Sequence, residues 1–379
     1  MKRSFILVAV SFLSVALFGD SSFGKEPYAI GFNVSFTITH AVAYQMQGGS
    51  ELAIEDINST GGINGTPLKL LVDDNKLLPT EAVLIAKKTL PKIQAMIVGC
   101  SGSTFLATMP LAAAAKVPVF GPGIGTPEIT ERGNRYVFRT HFNDKMGADA
   151  YVNFIVKKRG LKKVAIVNED RDYGLGGAKG AHEALTKLGI TPVAEETYSP
   201  GMVDFTPIVL RLKKADPDAI ILWGFPAETS ILTKQLRGAG IMVPVGGCNA
   251  FENDRFRDLA QEASNNAFFV SPYFPEPNDA EVQRFIKRFE ERFKKRPDAY
   301  AVNSYDTVQI IADGLRKAGR NKDAFQAALR AANLRGLNGT TTFDENGDNS
   351  RPIHIIGWQD GKRVKVAMWN TSTKEFLSY

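Results

Sequence analysis

Lys116-Val117-Pro118-Val119-Phe120-Gly121 and, further along, Met242-Val243-Pro244-Val245-Gly246-Gly247 are the stretches on which the reading of this chain turns. Each is a short apolar strand that follows a helix-like run and closes in glycine. Ahead of each helix stands another strand with a small or kinked loop. These loops are Gly99-Cys100-Ser101-Gly102-Ser103 in the first case and Trp223-Gly224-Phe225-Pro226 in the second. Two βαβ units of the same construction predict two lobes of related α/β topology. Ligands of doubly wound sheets sit beyond the carboxyl ends of the strands. The loops just quoted are therefore the candidate site, and two lobes facing one another would make a cleft.

Working outward, strand-like and helix-like runs alternate. Strands are predicted over Tyr28–Val34, Leu68–Val72, Ala95–Val98, Val117–Phe120, Lys163–Asn168, Thr191–Tyr198, Ala219–Leu222, Val243–Val245 and Ala267–Val270. Helices are predicted between them, the first over Ala41–Asn58 and stopped by Gly61-Gly62, another over Thr80–Leu90 with Thr80 as its cap. Short apolar strands separated by helices signal parallel sheets covered on both faces. Two long helical stretches follow, near 278–295 and 300–333. The tail from Thr340 to Asn370 turns to β character, with turns at Asn346-Gly347 and Asp360-Gly361.

The 379 residues are 44% hydrophobic and 23% charged, a globular balance for two to three domains. Lys2 and Arg3 precede a short apolar run, Phe5 to Phe18, and small residues follow before Lys25. That pattern reads as a secretory signal peptide over residues 1–24, so the mature chain is expected in the periplasm or outside the cell. Its loss removes Lys2, Arg3 and Asp20 from 46 basic and 40 acidic residues. The small positive excess that remains gives little reason to expect nucleic-acid binding. Two cysteines exclude a disulfide-stapled scaffold, and four scattered histidines exclude a Cys/His zinc cluster. No metal or cofactor is expected.

Catalytic motifs are missing. There is no Walker A loop, no H-E-x-x-H and no C-x-x-C. Gly99–Ser103 lacks the last glycine of a nucleophile elbow. Gly121-Pro122-Gly123-Ile124-Gly125 lacks dinucleotide spacing, and Pro122 removes a backbone donor. His40, His141, His182 and His354 have no local partner pattern and read as surface or structural. The small loops suit anions instead. Ser101, Ser103 and Thr104 precede a helix whose first amides need partners, an arrangement that favours a carboxylate. The same hydroxyls could simply cap their own helix. Tyr173, in Asp170-Arg171-Asp172-Tyr173-Gly174, and Phe225 stand at strand ends, where each is a pocket wall or a packing residue.

With these residues in view, the chain resembles the periplasmic solute-binding proteins of ABC transporters, in the branched-chain amino-acid-binding group. The matching stretches are Ala53–Asn58 with Gly61–Gly65, Pro127–Gly133, Tyr136–Thr140, Val164–Val167 with Asp172–Gly174, and Asp204-Phe205 with Leu210–Lys213. The resemblance implies two Rossmann-like lobes joined by a three-crossover hinge, the type I periplasmic binding protein fold. It implies one lobe over 25–142 and 275–353, and a second over 143–274 and 354–379. It implies no enzyme, but a monomer that captures a small carboxylate and delivers it to a membrane permease. A sensor ectodomain acting through a separate partner, and a secreted hydrolase using Ser101, are the other classes considered.

By the same resemblance the ligand carboxylate is held by Ser101, Gly102 and Ser103 with the loop Gly123–Thr126. The family's threonine there meets Gly125 or Thr126. Tyr173, Phe225, Cys248 and Asn249 shape the opposite wall, and at Phe225 the family's hydroxyl is missing. The acidic partner of the ligand ammonium is missing too. Gly246-Gly247-Cys248-Asn249 holds no carboxylate, and Glu252 is the nearest acid. Acids lacking an ammonium, aromatic or keto, are therefore candidates beside hydrophobic amino acids, with Trp223, Phe225 and Phe36 compatible with a ring. Cys100 and Cys248 are expected to be two free thiols in opposite lobes.

Overall fold

The computed structural model describes residues 26–276 and 278–378; the leader expected over 1–24 lies outside them. Two sheets organise the chain. The first contains β1 (Tyr28–Val34), β2 (Leu68–Asp74), β3 (Ala95–Val98), β4 (Val119–Gly121) and β5 (Val137–Arg139), in the order β2-β1-β3-β4-β5, all parallel. The second is built on β6 (Val164–Glu169), β7 (Ala194–Tyr198), β8 (Ala219–Trp223), β9 (Val245–Gly247) and β10 (Ala267–Ser271), also parallel. A small hairpin, β11 (Leu334–Gly336) with β12 (Gly339–Thr341), precedes the tail. The tail strands β13 (Ile353–Gln359), β14 (Lys362–Asn370) and β15 (Glu375–Phe376) add to β10 in antiparallel fashion. The second sheet thus runs β15-β14-β13-β10-β9-β8-β6-β7.

Burial explains the sequence patterns. Every residue of β1, β3, β6, β8 and β10 is buried, as helices on both faces require. The edge strands β2 and β7 carry exposed residues along their length. The helices His40–Ser59 and Ala299–Ala318 pack together over the first sheet. The helices Asp144–Asn153 and Asp172–Lys187 do the same over the second, where Gly180 lets the backbones approach.

The chain passes between the sheets three times, after β5, after β10 and before β13. Arg139, at the end of β5, bridges to Asp348 on the last of these passages. Its guanidinium is fully buried and uses all its nitrogens. Nε donates to Asp348 Oδ1 at 2.6 Å, Nη1 to the Ile124 and Thr126 carbonyls, and Nη2 to the Pro127 carbonyl and Thr130 Oγ1.

Local details differ from the sequence reading for physical reasons. Pro79, not Thr80, opens its helix, since a ring at the first position needs no amide partner. The stretch 300–333 is two helices, Ala299–Ala318 and Lys322–Arg330, separated at Gly319, whose φ is +58°. β9 begins at Val245 instead of Val243, because Pro244 has no donor for a ladder.

Candidate functional site

The first lobe contributes two loops and a helix start. β3 ends at Val98, and two residues on Cys100 adopts a φ of +75°, a conformation unusual for a side chain with Cβ. Ser101 then takes an extended conformation and the helix Gly102–Ala114 begins. Ser101 does not cap that helix with its side chain. Its hydroxyl instead meets that of Ser103 at 2.8 Å. The capping explanation for these hydroxyls therefore fails for Ser101.

The second loop, after β4, lies against the first. A side chain at 102 would stand 2.1 Å from Thr126 Oγ1, so only glycine lets the two loops touch. Gly123 backs onto the ring of Tyr300, where a Cβ would come within 2.7 Å of Cδ1. Gly125 backs onto Asp144, where a Cβ would come within 2.2 Å of Oδ1. The Gly125 carbonyl also accepts the Asp144 amide at 2.8 Å.

Asp144 is the residue that sequence reasoning missed. It opens the helix Asp144–Asn153 just after the first crossover, where an acid reads as a routine helix start. The capping is done by its neighbour, since Asn143 Oδ1 accepts the Met146 amide at 2.8 Å. The Asp144 carboxyl is buried, and burial pushes it up to about 7 although Arg139 pulls the other way. Asp144 stands at the start of the second lobe's first helix, and its charge also acts on Tyr173 and Cys248 of the same lobe.

The second lobe supplies the other wall. Tyr173 Oη donates to Asn249 Oδ1 at 2.7 Å, and Asn249 Nδ2 donates to Tyr300 Oη at 3.2 Å. Tyr300 belongs to the first lobe, so this chain of hydrogen bonds spans the cleft. The ring of Phe225 lies 5.4 Å from that of Tyr173 and is 44% exposed, at the rim. Cys248 is buried, and its thiol, raised to about 11 by burial, donates to the Gly224 carbonyl at 3.4 Å. Both cysteines are free thiols.

The predicted residues thus fall into three groups. Ser101, Gly102, Ser103 and Thr126 meet at one helix start. Gly123 and Gly125 line the adjoining loop. Tyr173, Phe225, Cys248 and Asn249 come together across from them. Two expectations change. Trp223 is core, packed on Gly177 and Gly247, and is no pocket wall. Glu252 is engaged inside its own lobe, accepting from Ser271 Oγ at 2.8 Å with Arg363 Nη1 at 3.9 Å. Among the described residues no cluster of side chains suits a metal ion, and no helix is long and apolar enough to cross a membrane.

Comparison with known proteins gives a consistent picture. A family model described as periplasmic binding protein matches residues 30–363. The chain is similar to the Leu/Ile/Val-binding protein homolog 3 of Brucella melitensis, 29% identical over 361 residues that cover 93% of this chain and 97% of that one. It is similar to the leucine-, isoleucine-, valine-, threonine- and alanine-binding protein of Pseudomonas aeruginosa, 28% identical over 374 residues, 97% of this chain and 100% of the relative. Among solved structures it resembles the branched-chain amino acid transporter substrate binding protein LivJ from Streptococcus pneumoniae in complex with isoleucine. That match has a TM-score of 0.80 at 27% identity and covers 90% of this chain and 100% of the other.

Proposed function

The chain belongs to the periplasmic binding protein family, with its two-lobed type I fold, and we propose that it captures a hydrophobic α-amino acid between its lobes and hands it to a membrane permease. It is a binding protein of the transporter type, not an enzyme.

The ligand carboxylate goes to the start of the helix Gly102–Ala114, where the Ser101 and Ser103 hydroxyls, free amides and Thr126 converge. The ammonium goes to Asp144. A buried ammonium without an ionic partner would be expensive, and Glu252 is engaged inside its own lobe. Asp144 supplies the partner from the start of the second lobe's first helix, where it lies against Gly125 of the first lobe. An arriving ammonium returns its carboxyl to the charged form, because an opposite charge at close range outweighs the burial that raised it. The apolar side chain then meets Tyr173, Phe225 and Cys248.

The observation that carries this reading is the buried Asp144 carboxyl against Gly125, beside the loop that receives the carboxylate. The relatives named for leucine, isoleucine and valine support the same ligand class. Closure follows because the ligand touches both lobes, and only contacts that differ between open and closed forms shift that balance.

A thermal-shift screen of refolded mature chain tests the reading, since a ligand that binds only the folded state raises the melting temperature. Leucine, isoleucine and valine should raise it. Stabilisation by benzoate, hydroxybenzoates or phenylpyruvate alone would replace the amino acid with an acid lacking an ammonium.

A further inference from the structure

His141 follows the end of β5 by two residues, on the first crossover, and is buried. Its ring lies nearly parallel to that of Tyr300, at 16° and 6.3 Å between centroids. Tyr300 is the residue that backs Gly123 and reaches Asn249 across the cleft. His141 therefore belongs to the floor of the cleft, one ring away from the lobe-to-lobe contact.

The protonation of this ring is fixed by its surroundings. Nδ1 stands 2.7 Å from the Phe142 carbonyl oxygen, which only accepts, so Nδ1 carries the proton. Burial pushes the imidazole down to about 4, so it is neutral at physiological pH. Nε2 is then a bare acceptor, and it is buried without a hydrogen-bond partner. A second buried polar atom without a partner belongs to the helix that carries Tyr300. Ser304 is buried one turn beyond Tyr300 on the same face of the helix Ala299–Ala318, and its Oγ also lacks a partner. Buried polar atoms in native proteins are nearly always paired, so an unpaired acceptor in a binding cleft points to something that arrives.

We propose that His141 is a specificity-determining residue whose Nε2 accepts a hydrogen bond from an N–H or O–H group of the bound ligand. The inference rests on the amino-acid reading of the cleft and adds a selection rule to it. Ligands with a donor near the carboxylate are favoured over isosteric acids without one, because the latter leave Nε2 unpaired in a closed site.

The test is calorimetric titration of the wild type and His141→Phe with three probes of one shape: leucine, 2-hydroxy-4-methylpentanoate and 4-methylpentanoate. Phenylalanine keeps the stacked ring and removes the acceptor. The variant should bind leucine and the hydroxy acid about tenfold more weakly, and 4-methylpentanoate as well as the wild type does. His141→Gln, which returns an acceptor, should recover part of the loss. Equal weakening of all three probes would mean that His141 only supports Tyr300, and the proposal would fall. If none of the three binds the wild type, the amino-acid reading falls and this assignment with it. Nitrogen-15 spectra of the wild type give an answer that needs no variant. Saturation with leucine should shift the Nε2 resonance and leave Nδ1 in place; an unmoved Nε2 would overturn the proposal.

Discussion

The two walls of the cleft are built from the same kind of loop, the turn after a parallel strand, and yet they differ in chemistry. On the first lobe the loops after β3 and β4 are small residues and hydroxyls pressed together at Gly102 and Thr126, and Asp144 reaches Gly125 behind them from the first helix of the second lobe. On the second lobe the loops after β6, β8 and β9 carry Tyr173, Phe225, Cys248 and Asn249, whose polar atoms largely pair with one another or with backbone. The first wall is suited to a charged head group common to all amino acids. The second is suited to what differs between them. If this division is right, damage to the first wall should weaken every ligand alike, and damage to the second should re-rank them.

The largest effect is expected at Asp144. Asp144→Asn should lower affinity for leucine by at least about 30-fold, since removing one partner of a buried charge pair costs ~2–5 kcal/mol. The variant tests the comparison sharply, because loss for all amino acids together supports the division and a selective loss breaks it. The same carboxyl gives a pH signature. Its folded pKa is raised from 3.8 to about 7. Below about 7 the unliganded site holds a proton that the ammonium must displace, so leucine affinity should fall as pH drops from 8 to 5, with proton release seen by calorimetry in buffers of different ionisation enthalpy. For the unliganded protein the sign is opposite. A raised carboxyl pKa contributes stability that is full below 3.8 and is lost as pH rises through about 7. Asp144→Asn should therefore melt above the wild type at pH 8, and the two should converge near pH 4.

A smaller loss, about tenfold, is expected for Ser101→Ala, which removes one hydroxyl from a charged acceptor while the helix amides stay. Equilibrium titration with leucine, isoleucine and valine should show the same factor for each; unchanged affinity would remove Ser101 from the site. Asn249→Ala breaks the bridge from Tyr173 to Tyr300. It should weaken binding only several-fold, through faster dissociation with association unchanged in stopped-flow traces. The smallest effect is expected for Phe225→Tyr at the exposed rim. It should change the order of preference among hydrophobic amino acids by less than about tenfold without a common loss.

How much of this could be read from the chain depended on distance along it. The strand-end loops at 101–103, 123–126, 173, 225 and 248–249 were visible because each follows its own apolar strand and the ligand edge of a doubly wound sheet is fixed by topology. Asp144 was hidden because Asn143-Asp144 before a helix has a sufficient local explanation, and only the fold shows that one of the two does the capping. Tyr300 was hidden for a different reason. It starts a helix that no strand-end rule points to, and it meets Gly123 and Asn249 only through the return crossover. Glu252 drew attention by its closeness in sequence to Asn249, but its carboxyl faces Ser271 and Arg363.

Arg139 has a consequence for the thermodynamics of capture. With every nitrogen committed to the Ile124, Thr126 and Pro127 carbonyls, Thr130 and Asp348, it leaves the loop that ends at Thr126 little conformational freedom to lose. Ordering a mobile loop or side chain on binding costs about 0.5–1.5 kcal/mol per immobilised group. Here that entropy was surrendered once, during folding, and is not deducted again each time a solute arrives.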